Sequence, residues 1–392
     1  MPPKHDPIIG LPDFKIVRAE GSKTVQFTVQ YIGQNRCPHC GAADLRIKDT
    51  FTRKIKHHSL GLCLSELFVR THKFYCRRCD KYFSQRLPGI LPRKRATEIF
   101  REEVAMKHHH GHSQKDLAQF LAIGQATVER WYKDFVHLWS QQRTNAFCPK
   151  VMGIDEHFFT KKQGYATTFA NLAKGKVFDV QLGRTEASLK AYLLRLPGRS
   201  NVRVVVMDLS ESYRSLVKKY FGQALIVADR FHVVRLINHH FLKTWSDLDP
   251  VGRKNRGLLS LMRRHPENLR PDQQLRLREY LQTIPALEHI YDFKQRLMAL
   301  MKLKALSKDQ CRRKIPEYLQ MIADLQNCGF SHLETLGRTL SDWAEEIARM
   351  WRFTKTNSIT EGLHTKMEMI SRRAFGFRNF ENYRLRVRAH CG

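Results

Sequence analysis

Residues 202–208, Val-Arg-Val-Val-Val-Met-Asp, constrain this chain more than any other segment. A nearly unbroken apolar run of this kind is what a strand buried on both faces looks like, and other elements must then cover those faces. The run ends in an acid, and active-site groups in α/β sheets gather at the carboxyl ends of strands. On either side the pattern predicts strands over Val151–Phe159, Ala166–Leu172, Lys176–Gly183 and Ala224–Val227, with helices over Ala187–Leu196 and Glu211–Phe221. Three neighbouring strands followed by crossover units are the order of a mixed α/β sheet with flanking helices. Residues 231–350 then read almost wholly helical, with apolar i, i+3, i+4 spacing over Ile290–Leu303 and Lys314–Leu325, as an inserted helical domain would.

A chain of 392 residues is too long for one small core and predicts roughly two to four domains. Its 68 Lys+Arg against 37 Asp+Glu leave a net charge of +31, which calls for a polyanionic partner. A solubility device is the bland alternative. Clustering argues against it: residues 51–100 hold 12 Lys/Arg and 3 Asp/Glu, and Arg372, Arg373, Arg378, Arg384, Arg386 and Arg388 crowd the tail. The opening Met1-Pro-Pro-Lys-His-Asp6 lacks the pattern of a secretory signal, and no apolar run approaches the ~18 residues of a membrane span. No membrane partner and a cytoplasmic location are expected.

Four of the nine cysteines form two CxxC pairs, leaving Cys63, Cys148, Cys311, Cys328 and Cys391, a usage that fits a reducing compartment with a metal site. In Cys37-Pro-His-Cys40 and Cys76-Arg-Arg-Cys79, each knuckle brings two thiolates to one ion, and together they complete tetrahedral coordination of one zinc. Four thiolates leave no open position, so the site is structural; His39 is either an exposed turn residue or a substitute ligand. Thirty-five residues separate the pairs, and hairpin strands such as Glu66–Tyr75 fill the gap. Upstream, Thr24–Ile32 alternates apolar and polar residues like a strand. Downstream, Leu87-Pro-Gly-Ile-Leu-Pro-Arg93-Lys94-Arg95 reads as a linker whose three bases lie along phosphates.

Ser113-Gln-Lys-Asp116 opens a helix with Leu117, Phe120 and Leu121 on one face; Ala122-Ile-Gly124 interrupts it, and Gln125–Phe135 resumes with Val128, Trp131, Tyr132 and Phe135 at helical spacing. The pair resembles a helix-turn-helix that presents Gln125, Thr127 and Arg130 to a DNA groove, with Ala122 where the turn usually has Gly. An ordinary helical hairpin is the other reading.

Three acids stand out. Period-two alternation sends Asp155 and Glu156 to opposite faces of their strand, so only one of them joins a site there. Asp208 ends the buried run, or else caps the helix that follows. Glu361 opens a helix in Asn357-Ser-Ile-Thr-Glu361, where Ser358-x-x-Glu361 is also a capping box; Glu368, two turns on, is the reserve. The same helix leads into Arg372-Arg373-Ala-Phe-Gly-Phe-Arg378, a basic and aromatic stretch suited to holding DNA.

Taken together, Gly153-Ile-Asp-Glu156, Asp208 with Tyr213, Ala228-Asp-Arg-Phe-His232, and Asn357-Ser-x-x-Glu-Gly362 with Gly376-Phe-x-Asn-Phe380 resemble a bacterial insertion-sequence transposase of the ISL3 family over nearly the whole chain. The resemblance implies a ribonuclease H-like core interrupted by a helical insertion, with Asp155, Asp208 and Glu361 as its DDE triad holding two Mg²⁺, for which Mn²⁺ can substitute. Asp229 and His232 match the Asp-x-x-His signature of related insertion-bearing transposases, implying a supporting role; a helix-capping Asp and a packed His are the alternative. The organisation expected is a zinc module at 1–90, a helix-turn-helix domain at 91–146, the core's first part at 147–238, the insertion at 239–352, and the core's final helix with the basic tail at 353–392. Trp245, Trp343 and Trp351 either pack in a core or stack on an unpaired base.

The function implied is binding of the element's terminal inverted repeats, hydrolysis at its ends and attack of the freed 3′-hydroxyls on target DNA, by a nucleoid-associated homodimer or larger assembly. A DNA-binding regulator with a non-catalytic core, and a metal-dependent nuclease without strand transfer, are the competing expectations.

Overall fold

The computed structural model describes residues 6–143, 147–353 and 358–392, which divide into two compact units, Met1–Trp139 and Ser140–Gly392. Asn357 of the Asn-Ser-x-x-Glu-Gly motif and the side chain of Ser358 lie outside the described residues.

In the first unit the strands are β1 (Phe14–Glu20), β2 (Thr24–Tyr31), β3 (Leu45–Leu60), β4 (Cys63–Cys76) and β5 (Lys81–Ser84). They form one sheet in the order β1-β2-β4-β3, with β5 also paired to β4. The alternation expected in β2 holds, since Phe27 and Val29 are buried while Thr28 and Gln30 are exposed. Strands β3 and β4 are a long hairpin, in register from Leu45↔Cys76 to Leu60↔Cys63, and they occupy the gap between the two CxxC pairs. Three helices follow: α1 (Glu98–His109), α2 (Gln114–Phe120) and α3 (Gln125–Arg143). They close around Phe100, Val104, Leu117, Leu121, Val128 and Trp131. Buried His57 of β3 ties sheet to helices: its Nε2 donates to the Ile9 carbonyl and its Nδ1 accepts from Thr97, the residue that caps α1, both at 2.9 Å.

In the second unit β6 (Val151–Thr160), β7 (Gly164–Asn171) and β8 (Lys176–Leu182) form an antiparallel meander. Helix α4 (Glu186–Arg195) leads to β9 (Val204–Met207), and α5 (Glu211–Tyr220) leads to β10 (Leu225–Ala228). Both β9 and β10 are parallel additions, giving the strand order β10-β9-β6-β7-β8. All four residues of β9 are buried, as the apolar run demands.

From β10 the chain leaves the sheet along α6 (Arg230–Leu248) and continues through α7 (Pro250–Lys254), α8 (Arg256–Arg263), α9 (Pro271–Gln282), α10 (Pro285–Lys302), α11 (Lys308–Gln326), α12 (Ser331–Asp342) and α13 (Ala344–Arg349). It then returns in α14 (Ser358–Arg373) and α15 (Phe380–Cys391). One core runs from the sheet into α10–α13, while Trp245, Leu258, Leu261, Leu277 and Tyr291 form a separate distal core. Trp245, Trp343 and Trp351 are all buried, so packing is the reading that stands for them.

Three arginines pin these helices to the sheet. Arg214 of α5 grips Glu346 of α13 through two bonds of 2.9 and 2.7 Å and lies 4.1 Å over the Trp343 ring. Arg230 donates to the carbonyls of Met301, Leu303 and Met350 at the ends of α10 and α13. Arg349 donates to the Ile226 carbonyl of β10 at 3.1 Å. Arg384, expected on the basic surface of the tail, instead turns inward and clasps Asp179 of β8 at 2.8 and 2.6 Å.

Candidate functional site

Strand register sets the acids in a row. Ile154 lies opposite Met207 on β6 and β9, and Met207 opposite Ala228 on β9 and β10, so Asp155, Asp208 and Asp229 hold successive equivalent positions on adjacent parallel strands. Equivalent positions share a sheet face and lie about 4.8 Å apart from strand to strand. On the other side, Asp155 is paired with Thr168 of β7.

Burial drives the Asp155 carboxyl up to about 7, the Glu156 amide hydrogen bond opposes this, and the charges of Asp208 and Asp229 add to the rise. Asp208 is raised by burial too, with His232 pulling the other way. One carboxylate oxygen of Asp208 is buried without a hydrogen-bond partner. A buried acid with an unpartnered oxygen beside two other acids is suited to holding a cation, and oxygen-only donors fit a hard one such as Mg²⁺. The capping alternatives fail for Asp208 and Asp229: α5 is capped by Ser210, and the Asp229 side chain makes no cap hydrogen bond to α6. His232 stands 3.8 Å from Asp229. Glu156 pairs with Arg184 at 3.3 Å, and its charge adds to the rise at both Asp155 and Asp208.

Glu361 is exposed on the first turn of α14, and among the described residues only a cysteine quartet brings three or more ligand atoms within 4.8 Å of one another, so neither Glu361 nor the three aspartates form a closed ligand cluster. Glu368 is occupied by Arg372 at 2.6 Å.

What α14 does bring to the row is His364, one turn after Glu361 on the same helix face. Its Nδ1 lies 3.8 Å from Asp155 and its Nε2 3.0 Å from Thr168 Oγ1. A chain of contacts continues from Thr168 to His157 at 3.0 Å and from His157 to the Tyr383 hydroxyl at 2.9 Å. Burial pushes His364 down to about 4 and His157 to about 3, so both rings are neutral. One set of donors satisfies every link: Tyr383 donates to His157, His157 to Thr168, Thr168 to His364, and His364 points its remaining N–H at Asp155. The sequence reading missed these residues, although the three-residue offset between Glu361 and His364 is a signal that the two share a face.

In the first unit the four expected ligands converge. Cys37 and Cys79 lie 3.6 Å apart and Cys40 and Cys76 3.5 Å, all four sulfurs falling within 4.8 Å of one another. A Zn–S bond of about 2.3 Å implies about 3.8 Å between sulfurs in a regular tetrahedron, so the quartet fits one zinc. Burial opposes ionisation of Cys37, but amide N–H groups of His39 and Cys40 aim at its sulfur and bring it down to about 6, as a thiolate ligand requires.

A groove of about 880 Å³ crosses the same unit, lined by Arg53, Lys54, Arg93, Lys94 and Arg95 on one side and Thr127 and Arg130 of α3 on the other. Gln125 and Arg130 are exposed, and Val128, Trp131 and Tyr132 hold the opposite face of α3 in the core. The turn before α3 places Ala122 at φ 49°, the left-handed conformation that glycine adopts most readily, and Lys56 Nζ holds the Leu121 and Ala122 carbonyls at 3.1 and 2.7 Å. In the second unit Arg373, Arg378 and an almost fully exposed Phe375 stand together on the α14–α15 turn, while Arg372 is engaged by Glu368.

Known proteins resemble this chain over most of its length. Residues 85–136 match the helix-turn-helix domain of transposase family ISL3, and residues 152–387 match that family's transposase domain. The chain is 24% identical over 364 residues, 90% of its length and 88% of the relative's, to a transposase for insertion sequence element IS1001 of Bordetella parapertussis. No described helix is long and apolar enough to cross a membrane. The chain belongs to transposase family ISL3 and is a DNA-binding, DNA-processing protein.

Proposed function

We propose that this transposase binds the inverted repeats of its element, cuts DNA at the element ends and joins the 3′-hydroxyls to target DNA from a ribonuclease H-like core. The orphaned, buried oxygen of Asp208 in the acid row carries the reading. The strand order β10-β9-β6-β7-β8, antiparallel on one side of β6 and parallel on the other, supports the core assignment. Two Mg²⁺ ions, or Mn²⁺, held by Asp155, Asp208 and Glu361 would supply activation of the attacking oxygen and stabilisation of the leaving one.

The protein's own part is placement. Asp155 and Asp208 are fixed by strands, His364 orients the Asp155 carboxylate, and Asp229, at the end of the row, supports it with His232 beside it. Glu361 completes the set when the first turn of α14 closes over it, since Glu361 and His364 share a helix face. The zinc module at 1–90 and the helix-turn-helix at 91–146 read the repeats through Gln125, Thr127 and Arg130, with Arg93, Lys94 and Arg95 on phosphates. Arg373 and Arg378, with Arg372 once released from Glu368, hold DNA beside the core parts at 147–238 and 353–392, and the insertion spans 239–352. Pairing of two ends calls for a dimer or larger assembly on DNA.

Incubating the full chain with Mg²⁺, duplex inverted repeats and target DNA tests this reading. Cleaved ends and joined products are expected, and Asp208→Asn should abolish both while end binding persists. Strand transfer retained by that variant would overturn the assignment; cutting without joining would make the chain a nuclease, and binding alone a regulator.

A further inference from the structure

A cleft of about 940 Å³ opens at Asp208 and runs away from the acid row along α6. One wall is a face of that helix on which His232, Arg235, His239, Lys243 and Ser246 recur at helical spacing; Arg253 of α7 and Arg263 of α8 stand on the other. Asp208 is the sole acid among the lining residues. Arg235, Lys243 and Arg263 are exposed and make no ion pair among the described residues, and Arg253, 5.8 Å from the Trp245 ring, makes none either. Arg214, Arg230 and Arg349 behave differently: they are spent on carboxylates or carbonyls that hold the insertion in place. Four cations facing one cleft with no carboxylate to answer them are therefore not needed to build the fold.

Phe231 adds a second feature. It follows Arg230 directly, lines the cleft beside Asp208 and His232, and leaves 43% of its surface exposed although the buried core lies next to it. Cationic side chains interleaved with an exposed aromatic ring are the arrangement that binds single-stranded nucleic acid, the charges tracking phosphates and the ring stacking on a base. From His232 to Ser246 the wall extends about 21 Å at 1.5 Å per residue. That length suits several nucleotides of one strand, and the exposed ring favours an unpaired strand, whose bases are free to stack on it, over a duplex, whose bases are already stacked on one another.

We propose that this cleft is a track for a single DNA strand, leading from the scissile phosphate into the helical insertion, with Phe231 stacking on a base next to the acids and Arg235, Lys243, Arg253 and Arg263 holding successive phosphates. The proposal rests on the reading of the acid row as the cutting centre. It assigns the insertion a substrate contact: a strand held here is unpaired, so the element end is melted beside the cut. The groove on the first unit takes duplex DNA; this cleft takes a strand separated from its complement.

The test uses the full chain without divalent metal, so that binding is read independently of activity. The probe is a ~12-nucleotide thymidine oligomer with a central 5-iodouracil, a length within single-strand site sizes. Ultraviolet crosslinking followed by peptide mass spectrometry should identify Phe231. Arg235→Ser with Lys243→Ser should weaken oligomer binding roughly tenfold and lower the salt slope by about 1.4, at ~0.7 for each phosphate left without its cation. Binding of duplex DNA should stay within about twofold, because these residues lie outside the duplex groove. Both substitutions are at exposed positions, and Phe231→Ala gives a third readout, loss of the crosslink with the cations intact. Crosslinks that map only to the first unit, or oligomer affinity unchanged in the double variant, would overturn the track. Crosslinking at Phe231 in a protein that never cuts DNA with Mg²⁺ would leave the track standing and remove the catalytic reading.

Discussion

Ionising Asp155 works against the fold, because burial and the charges of Asp208 and Asp229 together hold its carboxyl up at about 7. A folded-state pKa above the unfolded value means the native state binds the extra proton. Without metal, stability should therefore fall as pH rises between 3.8 and about 7, and the lost stability is that of the protonated form. Asp155→Asn removes the conflict and should raise metal-free stability by on the order of 1–2 kcal/mol, or about 2–4 °C for each kcal/mol in a unit of this size. Added Mg²⁺ should raise the melting temperature of the natural protein and leave that of the variant unmoved. Thermal scans with and without Mg²⁺ check both; a variant that melts lower than the natural protein in chelator contradicts the account. At Ala122 the strain is in the backbone. Ala122→Gly relieves a left-handed φ of 49° and should stabilise the first unit by about 1 kcal/mol, measurable by urea denaturation.

Among the elements, the β3–β4 hairpin carries at its base the cysteine quartet that fits one zinc, and without that ion four mutually repelling or re-protonated sulfurs would face one another and free the knuckles. A strong chelator should release one zinc per chain, lower the melting transition of the first unit and abolish repeat binding, with the second unit's transition unchanged. His57 makes the same hairpin acid-sensitive: burial, with His58 beside it, brings its pKa down from 6.5 to about 4. The unfolded chain then binds more protons across that interval, so stability should fall as pH drops from 6.5 to about 4. His57→Gln should flatten this slope in pH-dependent melts. How these elements would form was legible where the signal is local. The Val202–Asp208 run, the alternation of β2, the CxxC pairs and the Ser113 cap each state their structure within a few residues. Arg384 bonding to Asp179 from 205 residues away, or His364 reaching Thr168 from 196, leaves no such trace, since only the folded chain brings those partners together. Glu361 was legible as a helix-opening acid, but its exposed position depends on how α14 lies against the sheet.

At the scale of the second unit, the helical insertion is held to the sheet by charge as well as by packing. Glu346 is buried and answered by Arg214, so Arg214→Ala leaves an uncompensated carboxylate and should destabilise this unit by about 3–5 kcal/mol, read by denaturant melts. Replacing the pair with Met and Leu should recover most of that loss; a double variant as unstable as the single one would show that the pair itself is not the cause. A net charge of +31 makes DNA affinity a steep function of ionic strength, whatever the sequence bound. Helix α6 joins these parts in one piece. Asp229 sits at its first turn, Trp245 is bolted into the distal core near its last, and nothing interrupts the 19 residues between. A rod of this kind transmits displacement rather than absorbing it. A compound wedged against the distal core, about 24 Å from Asp229 at 1.5 Å per residue, would tilt that acid against its neighbours without touching it, which makes that remote lobe a handle by which the enzyme could be jammed.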